Sequence, residues 1–87
     1  MRKFSIEDNL RKKLGKLSKK DRVLYSAAMK KMDEILSCED VSHYKNLKSP
    51  MQDFKRVHVR GSFVLIFKYL DGKVLFFGLG YHDDVYR

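Results

Sequence analysis

The sequence predicts an α+β domain in which two N-terminal helices pack on one face of a small antiparallel β-meander. Two observations support this fold class. Apolar residues recur at helical spacing through the first third of the chain, and residues 54–81 have the pattern of three strands joined by two tight turns. A two-layer domain follows, because the apolar stripe of a helix pair and the apolar face of a sheet each need a partner.

The first helix is predicted over residues 6–17, with Ser5 as its N-cap and acidic Glu7 and Asp8 in the first turn. Before it, residues 1–4 leave room for a brief edge strand of the meander. The apolar spacing puts one face of the helix toward a core and a strongly basic face outward. That outward face carries Arg11, Lys12, Lys13 and Lys16.

The second and longest helix is predicted to open at the capping pattern Ser18-Lys19-Lys20-Asp21, and no proline or glycine breaks it before Ser37. Its predicted apolar stripe is Leu24, Ala28, Met32, Ile35 and Leu36. Two consecutive helices with so short a joint form an αα-hairpin. A polar, basic connection then leads to the sheet.

The meander is predicted as strands 54–60, 63–70 and 73–81. Gly61-Ser62 suits a type II′ turn, and Asp71-Gly72 suits a type I′ turn, whose two central positions need φ > 0. Counting through two-residue turns predicts the buried face as Val57, Val59, Val64, Ile66, Leu75, Phe77 and Leu79. The opposite face then carries Arg56, His58, Arg60, Phe63, Leu65, Phe67, Phe76, Gly78 and Gly80.

Charge indicates the class of partner. The 87 residues suffice for one domain, spanning residues 1–87, with a net charge of +8. Such a field attracts polyanions, with nucleic acid first and an acidic protein second. No apolar run approaches bilayer length, so no membrane partner is expected. Cys38 is the only cysteine, which predicts a reducing cytoplasm and no disulfide.

Acid-base chemistry beside phosphate-binding cations is the catalytic chemistry that remains possible for these residues. His43, His58 and His82 lack the local spacing of a zinc site, and no nucleotide-binding glycine motif opens a helix, so neither a metal nor a cofactor is expected. Cleavage of RNA through its own 2′-hydroxyl needs a base, an acid and positive charge on the phosphate. His58 and Arg56 share a predicted face, and His82 follows the glycine strand on the same parity. From the residues alone, however, a histidine on an exposed strand face is more often an ordinary surface residue than a catalyst, and a lysine-rich helix is usually a solvated face.

The combination of segments resembles the RelE/ParE toxin superfamily, and in its histidines the RelE/YafQ branch. The resemblance covers nearly the whole chain. It is carried by the helix order, the basic connection at residues 45–50, the strand motifs at 54–59 and 64–67, and the ending at 81–86.

This resemblance implies the fold of RelE-like microbial RNases. It also implies a type II toxin that cleaves mRNA on the ribosome without a metal and is neutralised by a cognate acidic antitoxin. Carried over by position, it implies catalytic roles for Lys45, Arg56, His58, His82 and Tyr86. Further phosphate contacts are expected from Lys12, Lys13, Lys16, Lys48, Lys55 and Arg60.

Two departures from the family pattern affect these expectations. The N-terminal strand is short, and the second meander strand begins Phe63-Val64-Leu65 where many relatives carry an arginine. Phosphate binding would then move to Arg56, Arg60 or Lys48. A ParE-like inhibitor of DNA gyrase and a non-catalytic nucleic-acid-binding module are the alternatives.

Overall fold

A computed structural model describes residues 1–47 and 52–82. Its elements in chain order are β1 (Lys3–Ile6), α1 (Asp8–Lys20), α2 (Arg22–Ser37), a short 3₁₀ helix (Val41–His43), β2 (Phe54–Arg60), β3 (Phe63–Leu70) and β4 (Lys73–Tyr81). The strands form one sheet in the order β1-β4-β3-β2. Because β1 runs parallel to β4, the sheet is mixed, and the meander itself is antiparallel. The predicted fold class and the edge strand are confirmed.

The helix ends follow their capping groups. Ser5 was a wrong prediction for the first N-cap, because it belongs to β1 and the Glu7 side chain instead accepts a hydrogen bond from Asn9 N at 2.8 Å. At the joint, Asp21 ends α1 and caps α2, where its carboxylate accepts from Leu24 N at 3.1 Å. Neither helix has the length and hydropathy that crossing a bilayer requires, among the residues described.

One face of the sheet packs against both helices, and we call it the helix face. Its fully buried side chains include Leu65 and Phe67 of β3 and Val74 and Phe76 of β4. Across the interface lie Leu10, Leu14, Ala28, Met32, Ile35 and Leu36 of the helices. The helical stripe is as predicted, but four of the seven sheet residues that were expected to pack against it do not.

Two β-bulges explain the difference. In β2 the pairing shifts between His58 and Arg60, which leaves Val59 as the additional residue. In β4 the pairing shifts beside Ile66 and Phe67 of β3, which leaves Phe77 as the additional residue. A bulge reverses the side of every residue beyond it relative to the partner strand.

Because of the bulges, the predicted buried face was wrong for β3 and for part of β4. Val64 and Ile66 lie on the face opposite the helices, Leu75 is only half-buried, and the Phe77 side chain is 42% exposed. The residues expected on that opposite face that turn inward instead are Phe63, Leu65, Phe67 and Phe76.

The bulge in β2 and the bulge in β4 each shift the pairing with β3 by one residue. The two shifts therefore compensate when β2 is compared with β4. His58 pairs with Val64, which pairs with Gly80, and Arg56 pairs with Ile66, which pairs with Gly78. The predicted side-by-side placement of the two basic residues and the two glycines is therefore confirmed. We call this side of the sheet the open face.

Candidate active site

A pair of stacked imidazoles marks one end of the open face. The rings of His58 and His82 lie 5.7 Å apart between centroids, with only 19° between their planes. His58 is exposed and His82 is half-buried, so solvent reaches the pair. At this spacing, each of the two rings can direct one of its nitrogen atoms toward the same bound group.

Backbone contacts hold this pair in place. His58 is fixed by its pairing with Val64 in the centre of the sheet. His82 follows the last residue of β4, and its N–H donates to the Ser62 carbonyl at 2.7 Å. The turn between β2 and β3 therefore anchors the second histidine beside the first.

Two cations lie next along the open face. The connection runs beside β2, where the Arg56 N–H donates to the Lys45 carbonyl at 3.0 Å and Leu47 N donates to Phe54 O at 2.8 Å. Because Asn46 is paired with Lys55, this register puts Lys45 on the same side of the sheet as Arg56. The sequence-predicted group Lys45, Arg56, His58 and His82 is thus brought to one face.

Beside these polar groups the surface is low and open. Val64 and Ile66 form its floor together with Leu47, in a small second apolar cluster. On β4, a Cβ built on Gly78 or Gly80 meets nothing within 4 Å. The two glycines leave a strip where a ligand backbone could approach the sheet.

Other predicted phosphate contacts lie elsewhere. Lys55 belongs to the helix face, and its amine donates to Tyr44 O at 3.2 Å and Asn46 Oδ1 at 2.8 Å, which ties down the connection. The bulge separates Arg60 from His58, and Arg60 lines a shallow cavity with Asp21 and Tyr81.

The basic residues of α1 are exposed and lie on the other layer from the histidines. Lys12 and Lys16 point to solvent, whereas the Lys13 amine reaches the edge of β4 and donates to Leu79 O at 2.5 Å. Lys48 and Tyr86 lie outside the described residues. No set of three histidine, cysteine or acidic side chains within residues 1–47 and 52–82 is grouped to hold a metal ion.

Sequence reasoning missed an aromatic pair on the open face. Phe77 was expected in the core, but the β4 bulge turns its ring onto the open face, where it meets Phe54 at 4.9 Å between centroids. The signal was present in Gly78 and Gly80, because glycine inside a strand often marks a bulge.

Comparison with known proteins identifies relatives along the whole length. The chain is 43% identical to "Putative toxin RelE4" of Methanocaldococcus jannaschii, with all of this chain and 93% of the relative covered. It is also 39% identical to a protein of Methanosarcina mazei, with 95% and 96% covered. No family model matches the chain.

Solved structures share the fold at much lower identity. YafQ from Escherichia coli superposes with a TM-score of 0.66 at 19% identity, and both chains are covered completely. The same protein in the E. coli DinJ–YafQ complex gives a TM-score of 0.64 at 22% identity, again with complete coverage. The solution structure of HP0894 from Helicobacter pylori gives 0.67 at 21% identity, with 95% of this chain and 97% of that chain covered.

Proposed function

The chain belongs to the RelE family of toxins, and from this we propose that it is the toxin of a type II toxin-antitoxin pair that cleaves mRNA on the ribosome. The observation that carries the proposal is the stacked pair of His58 and His82 on the same sheet face as Arg56 and Lys45. The pair supplies two groups that can hold or release a proton, and the cations supply charge for a phosphate.

The proposed reaction is a transesterification within RNA. One histidine takes the proton of the 2′-hydroxyl, whose oxygen then bonds to the adjacent phosphorus. The bond from phosphorus to the 5′-oxygen breaks, and the second histidine gives that oxygen its proton. The products are a 2′,3′-cyclic phosphate and a 5′-hydroxyl, with no net gain or loss of protons.

The spacing of the two rings suits this division of labour. Each transfer needs a heavy-atom approach of about 2.6–3.2 Å. Rings 5.7 Å apart can therefore serve the attacking and the leaving oxygen of one phosphate bound above them. The open strip at Gly78 and Gly80 gives the RNA backbone room to lie at that position.

Arg56 and Lys45 are proposed to stabilise the charge that develops on the phosphate oxygens. The Arg56 guanidinium can form two parallel hydrogen bonds to a phosphate, and the Lys45 ammonium adds a single positive charge. Both would stabilise the transition state. The start of β3 carries no arginine here, and the bulge removes Arg60 from this face, which supports Arg56 as the principal phosphate ligand. Tyr86 is proposed to orient the substrate, as the family resemblance implies.

The remaining predicted cations are proposed to act before the cleavage step, during binding. Lys12, Lys13 and Lys16 belong to the helix layer, so their role would be to attract the ribosome or RNA by long-range charge. Lys48, Lys55 and Arg60 remain predicted phosphate contacts. Replacing the three α1 lysines should weaken binding and its salt dependence while leaving the cleavage position unchanged.

A cytoplasmic location and an acidic antitoxin follow from the same proposal. A basic chain that is harmful when free would be held by an acidic, partly disordered partner that folds on binding. A protein of this fold is found with its partner in the E. coli DinJ–YafQ toxin-antitoxin complex, which supports the expectation of an antitoxin. Co-purification from the native host should recover an acidic partner, and its absence would count against the pairing.

Translation-coupled mRNA cleavage in excess chelator tests the chemistry. We expect His82→Ala to slow cleavage about 10²–10⁴-fold, the usual contribution of a positioned acid or base, while ribosome binding persists. Arg56→Ala should slow the chemical step more than it weakens binding. The 3′-ends of the fragments should carry the cyclic phosphate.

The same assay separates the alternatives. Wild-type cleavage by the double variant His58→Ala/His82→Ala would contradict the proposed mechanism, and loss of cleavage in chelator would replace it with a metal-assisted one. A gyrase inhibitor would leave mRNA intact and make both histidines dispensable for toxicity. A nucleic-acid-binding module would bind in a salt-sensitive way without cleaving.

A further inference from the structure

An aromatic pair on the open face lies outside the proposed acid-base machinery. The rings of Phe54 and Phe77 are 4.9 Å apart and inclined by 52°. Phe54 is half-buried, whereas the Phe77 side chain remains 42% exposed. The bulge that puts Phe77 on this face immediately precedes the open strip at Gly78.

A lysine lies directly beside this pair. Lys68, which is paired with Phe54, holds its amine 5.6 Å from the Phe54 ring centroid. Lys68 and Lys73 also line a depression of about 460 Å³ that contains one acid, Asp71. An exposed aromatic ring with a lysine beside it is the arrangement that single-stranded nucleic-acid sites use, where bases stack and lysines hold the backbone.

The position of Phe54 along β2, relative to His58, suits a nucleotide next to the one that is cleaved. His58 lies four positions after Phe54 in β2, which corresponds to about 13 Å. Both residues alternate onto the same face, with Arg56 between them. An RNA strand whose scissile phosphate lies at the histidines and Arg56 would therefore carry its next bases toward the aromatic pair.

We propose that Phe77, supported by Phe54, is a stacking subsite for a base of single-stranded RNA next to the scissile phosphate, and that Lys68 contacts that nucleotide's phosphate. The inference rests on the proposed function and adds a subsite for substrate to it. Phe77 also contacts Phe54, which packs against the small apolar cluster of the open face, so the experiment must separate stacking from packing.

The probe is a short single-stranded RNA with 2-aminopurine beside the scissile position and a 2′-deoxy nucleotide at it, which prevents cleavage. Stacking quenches the fluorescence of 2-aminopurine. We expect wild-type protein to quench the probe and Phe77→Leu, which keeps an apolar cover, to abolish quenching and weaken binding about tenfold. Phe77→Trp should retain both.

The matched control is Phe4→Ala. Phe4 is an aromatic residue of similar exposure, 46%, on β1, where it contacts Phe76 of the helix face. It should leave quenching and affinity at their wild-type values. Lys68→Gln should reduce the salt slope of binding by about one, whereas Phe77→Leu should leave that slope unchanged, because stacking releases no counterions.

Wild-type quenching and affinity in Phe77→Leu would overturn the subsite, as would failure of the wild-type protein to quench the probe. Thermal unfolding of each variant shows whether the fold is intact, and Phe77→Trp keeps the test valid if the leucine variant is unstable. The proposed function fails separately: it fails if His58→Ala/His82→Ala cleaves at the wild-type rate, whatever the probe reports.

Discussion

The two faces of this sheet differ in what their residues do. The helix face buries large apolar side chains such as Phe67 and Phe76 completely. The open face carries Arg56, His58 and the glycines beside a much smaller apolar cluster. One well-packed face suffices to hold an antiparallel meander such as β2–β4, so the second is available for polar chemistry.

The bulges are what make the two faces different. Without them, regular alternation would place Phe77 in the core and Leu65 toward solvent. With them, the largest side chains turn to the helices, and one aromatic ring is turned to the open face. Substitutions on the two faces should therefore have opposite consequences for stability and activity.

The largest expected effect is on the helix face. Phe76→Ala should lower the free energy of unfolding by about 3–5 kcal/mol, because it leaves a cavity where a fully buried ring packs on Phe67. His58→Ala, on an exposed position of the open face, should change stability by less than about 0.5 kcal/mol. Chemical denaturation measures both, and equal losses would mean that the faces do not divide these roles.

A smaller effect should appear at the glycine strip. Gly80→Ala adds a methyl group that meets no protein atom within 4 Å, so stability should rise by about 0.5–1 kcal/mol. The same methyl group occupies the proposed path of the RNA backbone, and cleavage should fall about 10- to 100-fold. A variant that is both more stable and fully active would show that the strip does not receive substrate.

The parts of the fold and of the candidate site that the sequence could predict are those set by local signals. The helix stripe and both turns could be predicted, because spacing and turn chemistry are local, and Asp71 and Gly72 do adopt positive φ values of 53° and 76°. The bulges could not be predicted by counting, since an additional residue in a strand depends on how both faces pack. His58 and Gly80 were still placed together correctly, because the two shifts compensate.

Features held by long-range contacts were also beyond sequence reasoning. Arg2, just before β1, donates to the carbonyls of Ile35 and Leu36 at 3.3 and 3.4 Å, so it satisfies the last turn of α2 from a position distant in sequence. Tyr44 packs edge-on against Phe67 at 5.5 Å, and its burial raises the pKa of its hydroxyl. Neither contact has a signature in local spacing.

The smallest expected effect lies where the chain leaves the helix layer. Hydrogen bonds from Ser42 Oγ at 2.6 Å and Ser42 N at 2.9 Å lower the pKa of the Asp40 carboxyl. A lowered folded pKa means that this stabilisation is present above the ordinary aspartate pKa and is lost as the pH falls through the folded value. Ser42→Ala should therefore be slightly less stable near neutral pH.

The difference between Ser42→Ala and the wild-type protein should shrink in acid, which unfolding at a series of pH values would measure. Ser26→Ala, an exposed position of α2, is the control and should show no pH-dependent difference. A constant difference for Ser42→Ala across the acid range would contradict the assignment to Asp40.

The most direct test of the central claim, that the open face cleaves RNA with two histidines, is the pH dependence of single-turnover cleavage on programmed ribosomes. A base and an acid acting together give a bell-shaped profile. We predict that His58→Ala and His82→Ala each remove one limb, a different limb in each variant, while the unfolding free energy of both stays near the wild-type value. A pH–rate profile that keeps both its acidic and its basic limb in either single variant would contradict the proposed mechanism.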